Sequence, residues 1–579
     1  MGSFATLAQQ RLSHLPQPCF NSLFFTSTVI PVHTLLRCLS NTVAADFGTA
    51  YSGCSYLFGD NIKEISDITV WPKSDGFYYP KVPTAIYYES YTSKPIAWGH
   101  EAILKANMHN STGHLITGFK LLLDTNNEST NILPHGLTAV QVISDYLREF
   151  HAYVHKQLKR ELCTLYGTSK FRYCLTVPAI WDDKAKATMR EAAILAGIVD
   201  RSDHPGRLML TSEPEAAALY CEKICKHFNL THGKRFMVCD AGGGTVDLIV
   251  FQIEEYAGIK SLREITKGSG GPCGSTFLDN RMRDILKRRF GSHADDNKRT
   301  IELIIKEFVS SKKPEFENED VYFSVPAILN MGGHNMSRVG IHEGYLQVTA
   351  KQLREEVFDP VVDQVLSLIS GQINQSQTKI DAIILVGGFG QSNYLSNRIT
   401  DLFKSTVGSI YIPNRGEMAV TRGAVIFGVD PSRISHRILR RTYGLQTNTI
   451  FNYVLDADKR CYLVNGQVVC QDYFSVFVSK GESIDTNQCF TKQFCIYYPG
   501  ILNLDMFAYD CSQETPRHVT SPGVCPVAKF AVEIPTLPNV KKGDKIGCTA
   551  KMYFGKTEII LEVVILGYAY VFTSAFDSH

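Results

Sequence analysis

The sequence predicts an α/β fold of two similar lobes followed by a small, mostly β domain, and three observations carry that expectation. A unit of strand, aspartate, glycine-rich turn and strand occurs twice, at Thr42–Phe58 and again at Arg235–Ile253. Segments with helical periodicity follow each copy. Beyond about residue 435 that periodicity gives way to Tyr, Val, Phe and turn residues, the composition of short strands and their connections.

At 579 residues the chain exceeds what one hydrophobic core supports, so two or three packed units are expected. Hydrophobic residues at 44% and charged residues at 20% place it among globular chains. Lys and Arg number 59 against 57 Asp and Glu, and a net charge of +2 supplies no field that would gather nucleic acid or an anionic membrane. The 16 cysteines are scattered without a CxxC pair, which fits a reducing compartment and a cytoplasmic location. No run reaches the ~20 apolar residues of a membrane span. The nearest, Ile559–Phe572, is interrupted by Glu562 and reads as one buried strand. Residues 1–42 hold no acidic residue and two arginines, Arg11 and Arg37, and are expected to form an extension without fixed structure. Two targeting readings stay open there: a mitochondrial transit peptide, and N-myristoylation on the pattern Met1-Gly2 with Thr6.

In the first repeat, strand-like Thr42 to Asp46 runs into Phe47-Gly48-Thr49-Ala50-Tyr51-Ser52-Gly53 and then Cys54 to Phe58. In the second, Arg235 to Asp240 runs into Ala241-Gly242-Gly243-Gly244-Thr245 and then Val246 to Ile253. Each copy puts a carboxylate at the tip of a hairpin, so two like lobes would face one another across a cleft. Thr138–Tyr166, Lys184–Gly197 and Thr349–Ser370 are expected helices. A third glycine-rich turn, Gly387-Gly388-Phe389-Gly390-Gln391-Ser392, follows the strand-like Asp381–Val386 and leads into a helix from about Asn393. It lies where a strand's carboxyl end faces a ligand.

The expected organisation is an α/β domain over 43–435 and a β-rich domain over 436–579. Their junction carries Arg433, Arg437, Arg440 and Arg441 and reads as a solvated connector. In the tail, Cys461–Val464, Asn465-Gly466 and Gln467–Cys470 read as a two-residue hairpin setting Cys461 opposite Cys470. The register admits a disulfide, while a reducing compartment favours two free buried thiols. The tail's seven cysteines lack metal-ligand spacing and read as small buried hydrophobes.

These turns suit a triphosphate. Glycines let the backbone approach phosphate oxygens, and consecutive N–H groups, as at Gly242–Gly244, form an anion-binding nest. Mg²⁺ takes carboxylate oxygens while keeping several waters, so Asp46 and Asp240, one from each hairpin, are placed to hold a hydrated ion from opposite sides. Thr49 and Thr245 can donate to phosphates. No GxxxxGK[ST] occurs, and neither Gly268–Gly274 nor Gly387–Gly390 completes GxGxxG, so the clamp is of another kind.

The three turns resemble the two phosphate motifs and the adenosine motif of the actin, sugar-kinase and 70-kDa heat-shock superfamily. Leu175-Thr176-Val177-Pro178-Ala179-Ile180-Trp181, the helix through Met189-Arg190-Glu191-Ala192-Ala193 to Gly197, and Ser212-Glu213-Pro214-Glu215-Ala216-Ala217-Ala218 are similar to its heat-shock branch. With Thr442-Tyr443-Gly444 and Thr520-Ser521-Pro522-Gly523 added, the pattern most resembles the heat-shock 70 kDa protein 12 group, closely over about 43–435 and loosely in the tail. The resemblance implies an actin-like ATPase domain of ribonuclease H-like repeats, ATP or ADP with Mg²⁺ as cofactor, and protein clients or co-chaperones as partners.

It also implies roles. Lys120 of Gly118-Phe119-Lys120 would position the γ-phosphate or the attacking water, Glu213 would act near the metal and that water, and Asp247 would join Asp240 as a catalytic-site carboxylate. Gly48, Thr49, Ala50 and Tyr51 would line the phosphates with Gly242, Gly243, Gly244 and Thr245, while Gly270, Gly271 and Gly274 would add a further phosphate-contacting turn. Gly387, Gly388, Phe389 and Gln391 would meet the adenosine. From the residues alone, Lys120 also reads as a solvated helix-end cation, Glu213 as a helix cap before Pro214, and Gly270–Gly274 as a plain loop before a helix near Leu278.

The departures bear on function. Ala50 stands where the family's phosphate motif often has a second hydroxyl, which implies slow hydrolysis. Gln391 stands where chaperone relatives commonly have an arginine stacking on adenine, with Phe389 as an aromatic replacement. The connector is basic where typical chaperones carry an acidic, leucine-rich linker, and no long amphipathic helix follows the β region, so coupling to peptide release is expected to be altered. The sequence favours an ATP-hydrolysing chaperone-like switch; a non-catalytic nucleotide-binding interaction module and a small-molecule kinase remain as alternatives.

Overall fold

The computed structural model describes residues 41–573 except 75–78, 91–92, 109–110, 124–132, 169, 225–229, 327–328, 330–335, 465, 512, 535–536, 538 and 567, all within one compact unit, Leu39–His579. The extension read over 1–42 falls outside the described residues except for Asn41 and Thr42, which open the first strand.

Both repeats are hairpins. Asn41–Phe47 pairs antiparallel with Tyr51–Leu57 and parallel with Phe171–Val177, which pairs in turn with Leu208–Ser212; Ser66–Ile68 completes the path beyond Tyr51–Leu57. The second sheet repeats this order. Arg235–Ala241 pairs antiparallel with Val246–Tyr256 and parallel with Ala382–Val386, then Ile410–Tyr411 follows, and Ile259–Glu264 lies beyond Val246–Tyr256. The central strands are buried on both faces, which explains their near-continuous apolar runs. The fold is thus the expected mixed α/β arrangement of two like lobes followed by β sheets.

Two helices fill the layer between the sheets. Glu213–Ile224 and Ala419–Val429 share one cluster with Ala44, Leu57 and Cys174 of the first sheet and Phe236, Val238 and Phe251 of the second. Their small faces, Ala216-Ala217-Ala218 against Ala419, Gly423 and Ala424, bring the backbones together: a Cβ on Gly423 would lie 1.6 Å from the Ala216 carbonyl oxygen. The expected helices form with shifted ends. Ala139–Leu162 starts at a reciprocal Thr138/Gln141 cap, and the stretch expected over 349–370 runs through a π-helical turn, Leu353–Phe358, into Asp359–Ser376.

The β domain has two sheets. One runs in the order Cys461–Val464, Gln467–Val478, Thr442–Ile450, Ile501–Tyr509, Val524–Glu533; the other runs Phe490–Tyr497, Lys545–Tyr553, Ile560–Ile565, Tyr568–Thr573. Alternate residues such as Leu502, Leu504 and Met506 meet Ile546, Cys548 and Leu561 in one core. The run read as one strand, Ile559–Phe572, is a hairpin that turns at Leu566, whose φ of 47° is left-handed; apolar residues on both sides of the turn hid it. Cys461 lies directly opposite Cys470 as counted, and both are free, but Cys461, Cys489, Cys495 and Cys511 are exposed rather than buried.

The connector is also not solvated. Ile434–Ile438 is a strand between Ile259–Glu264 and Ser483–Asp485, so the second lobe's sheet continues into the β domain. Carboxylates hold its arginines: Arg437 is ion-paired with buried Glu215 and donates to the Gly555 carbonyl at 2.8 Å, while Arg441 Nε lies 2.9 Å from the exposed Asp510. The Tyr443 hydroxyl donates to Asp183 at 2.8 Å and Arg190 pairs with Glu558, fastening the β domain to the first lobe.

Gly423→Ala should force the two central helices apart and lower stability in urea unfolding by at least the ~1–3 kcal/mol of ordinary overpacking. Gly371→Ala, mid-helix with nothing within 4 Å of the added methyl, should be neutral or stabilising by up to ~1 kcal/mol.

Candidate nucleotide site

The two glycine turns meet tip to tip. A Cβ on Gly243 would lie 2.7 Å from the Ala50 methyl, and one on Gly244 would lie 2.4 Å from Thr49 Oγ1, so only glycine admits this approach. Behind them the N–H groups of Gly274, Ser275 and Thr276 donate to the carbonyls of Gly244, Gly242 and Gly243 at 3.1, 3.1 and 2.9 Å. Because a trans peptide points its C=O and N–H oppositely, this turns the N–H groups of Gly243, Gly244 and Thr245 away from Gly274–Thr276.

Below the tips lies a cleft of about 330 Å³. It is lined by Asp46, Gly48, Thr49, Ala50 and Tyr51 of the first hairpin, by Asp240 and Gly242 to Thr245 of the second, and by Gly387, Gly388, Phe389 and Gln391 of the third turn, together with Lys120 and Glu213. Four expected residues are not part of this lining. Asp247 lies fully buried beneath it, accepting from Ala179 N at 2.9 Å. Gly270 and Gly271 are ladder residues of Ser269–Gly271, paired with Asp247 and Val246, and Gly274 braces the second turn from behind. The glycines at 270 and 274 are needed for close backbone packing: a Cβ would lie 2.6 Å from the Val246 carbonyl and 2.4 Å from the Gly243 carbonyl, respectively.

Four buried carboxylates, Asp46, Glu213, Asp240 and Asp247, converge here on two ammonium groups. Lys81 Nζ lies 2.6 Å from Asp46 Oδ2, and Thr176 donates to Asp46 Oδ1 at 2.9 Å. Lys120 is ion-paired with Glu213 and sits 5.6 Å from the Trp181 ring centroid, which makes it a buried partner rather than a solvated helix end. Burial works against ionisation of Asp46, yet Lys81 and Lys120 bring its carboxyl below the usual range. Burial raises Glu213 to about 7, Lys120 opposing and Asp46 and Asp247 adding to the rise. Burial together with Glu213, Asp46 and Asp247 pushes Asp240 well up, and burial raises Asp247 too. Asp247 Oδ2 has no hydrogen-bond partner among the described residues. Carboxylates brought from both lobes to one cleft fit a divalent cation, which Asp46 and Asp240 would hold through water.

The third turn differs from its expected role. Phe389 is packed into the second lobe's core, so its ring is not free to serve as a stacking platform. Gln391 Nε2 and Ser392 Oγ have no hydrogen-bond partner among the described residues and offer polar handles at this end. Several lining residues were not singled out from the sequence: Tyr79, edge-on to Tyr51 at 4.9 Å, Lys81, Asp279 and Lys313, which pair at 2.7 Å, and Ser310. The last two stand on or beside a π-helical turn, Phe308–Lys312, which hydrophobic periodicity does not reveal. Gly53, which faces Asp46 across the hairpin, was the available signal for Lys81.

A family model described as Hsp70 protein matches residues 129–429. The chain belongs to the Hsp70 family. It is similar to Heat shock 70 kDa protein 12B of Homo sapiens, 25% identical over 625 residues covering 91% of this chain and 89% of that protein. Heat shock 70 kDa protein 12A of Mus musculus is also 25% identical, covering 89% and 88%. Chaperone protein HscA of Buchnera aphidicola is 22% identical over 402 residues, 66% of this chain and 69% of its own. Membership of the Hsp70 family makes the two-lobed domain a nucleotide-binding ATPase domain of the Hsp70 type.

The raised carboxyls set a pH dependence. Above about pH 4.5 the unfolded chain has released the Glu213 proton, whereas the folded chain keeps it until about 7. The folded state then binds more protons, so this group's contribution to stability falls as pH rises through that window. Without ligand, Glu213→Gln should gain stability relative to the parent between pH 5 and 8, by on the order of 2 kcal/mol in denaturant unfolding.

Proposed function

We propose that the chain is an ATP-binding, slowly hydrolysing conformational switch that acts on protein clients as a cytoplasmic chaperone of the Hsp70 type. The observation that carries this reading is the convergence of Asp46, Asp240, Glu213 and Lys120 on one cleft beneath two touching glycine turns. Bound Mg²⁺ would neutralise phosphate charge as the γ-phosphoryl group leaves. The chain's own residues supply the rest. The N–H groups of Gly243 and Gly244 and the Thr49 and Thr245 hydroxyls bind the phosphates, and Lys120 holds the γ-phosphate and the water in line. Glu213, raised to about 7, accepts a proton from water near neutral pH as the water oxygen bonds to phosphorus and the bond to the β,γ-bridging oxygen breaks. Ala50 offers a methyl where a hydroxyl would add a donor, which favours slow turnover.

A signal has a short path to the β domain. Helix Glu213–Ile224 carries Glu213 into the cleft and, two residues on, Glu215 onto Arg437 of the connecting strand. A client surface is supported by exposed Ile450, Tyr453, Val454, Leu455 and Leu463, side chains on or next to one hairpin region of the β domain, Tyr453 and Val454 being 77% and 85% exposed.

Titration calorimetry in Mg²⁺ buffer should show saturable ATP binding, and Glu213→Ala should release phosphate at least about 10²-fold more slowly than the parent. Equal background rates would favour a non-catalytic binding module, and phosphate transfer to metabolites in excess of ATP loss to water would favour a kinase. Arg437→Met, which leaves Glu215 buried and unpaired, should abolish any ATP-dependent change in the proteolytic sensitivity of residues 436–573 while leaving ATP binding within about threefold of the parent.

A further inference from the structure

Lys81 is held as deliberately as any residue in the cleft. Its side chain and that of Asp46 are 9% and 8% exposed, and the ammonium lies 2.6 Å from Asp46 Oδ2. The stem crosses over Gly53, the residue directly opposite Asp46 in the hairpin: a Cβ there would come 2.9 Å from Lys81 Cγ and 3.2 Å from Cε. Any other residue at 53 would displace the lysine from its slot. The segment is tied to the first glycine turn as well. Val82–Pro83 pairs with Tyr51 and Ser52, Thr84 N donates to the Ala50 carbonyl at 2.8 Å, and Thr84 Oγ1 donates to the Gly48 carbonyl at 2.7 Å. Lys81 is thereby fixed relative to the turn that would carry phosphate.

Both oxygens of Asp46 are already engaged, Oδ2 by Lys81 and Oδ1 by Thr176. Asp240 has no such lysine bonded to it among the described hydrogen bonds, and the raised glycine turn at Gly387 lies against it, a Cβ there falling 2.6 Å from Asp240 Oδ1. An ammonium group has three donors; one is used on Asp46 and two remain for phosphate oxygens. We propose that Lys81 is a phosphate-binding cation of this site, a resident countercharge that takes over Asp46's share of the divalent ion's work and leaves the ion to the Asp240 side. Nucleotide binding by this chain then depends only weakly on Mg²⁺. The inference rests on the nucleotide reading given above.

The test is calorimetry of ADP with the full chain, in Mg²⁺ and in excess EDTA. Chelation should weaken binding by the parent less than about tenfold, and Lys81→Met should bind ADP measurably but more weakly than the parent in Mg²⁺ and fall at least about tenfold further behind it in EDTA. Lys81→Arg, which keeps the charge, should retain most of the EDTA binding. Retained binding in Mg²⁺ reports that the methionine variant is folded; if it is not, the parent's own EDTA titration and the arginine variant still decide. Loss of ADP binding by the parent in EDTA, or a methionine variant indistinguishable from the parent there, overturns the role of Lys81 alone. Absence of ADP binding by the parent in both conditions overturns the nucleotide reading along with it.

Discussion

Everything in this molecule is arranged around an excess of buried negative charge. Asp46, Glu213 and Asp240 in the cleft and Asp247 beneath it surround Lys81 and Lys120, and left to itself such a cluster costs the fold stability, because burial and mutual repulsion favour protonation. The arrangement becomes intelligible when a cation and phosphates complete it. The tip-to-tip turns, the small-faced helices between the sheets and the buried lysines all serve to bring carboxylates from two lobes within reach of one ligand.

The packing explains how such a cluster is tolerated. Each lobe has its own apolar core, and the third core lies between them on helices so close that glycine is obligatory at 423. Two lobes with separate cores joined through small residues suit the ligand-driven switch proposed above. The connecting strand, hydrogen-bonded on one side to the second lobe and on the other to Ser483–Asp485, makes the β domain part of that lobe's sheet. Its arginines compensate Glu215 and its neighbours, so nucleotide site and β domain lie at two ends of one short helix start.

Much of this was legible in the chain. The repeated strand-Asp-glycine turn gave both hairpins because apolar runs and glycine placement are local properties, and the same locality marked Gly387 and its neighbours. What escaped was non-local. Lys81 carries no motif, and its role appears only when Gly53 and Asp46 are seen as cross-strand partners. The arginines at 437 and 441 read as solvated because their carboxylate partners, Glu215 and Asp510, lie more than 60 residues away. Gly270 and Gly274 read as phosphate contacts although their demand for space comes from neighbouring backbone, and Leu566 hid a turn inside a mostly apolar run.

The central claim is that Asp46 and Asp240 serve one ligand from opposite lobes. A crystal structure of the chain with Mg²⁺ and ADP tests it most directly. The diphosphate is expected against Gly242–Gly244 and Thr49 and within reach of Lys81, with the hydrated ion on the Asp240 side. Nucleotide bound elsewhere, or an ion held by neither aspartate, would contradict it.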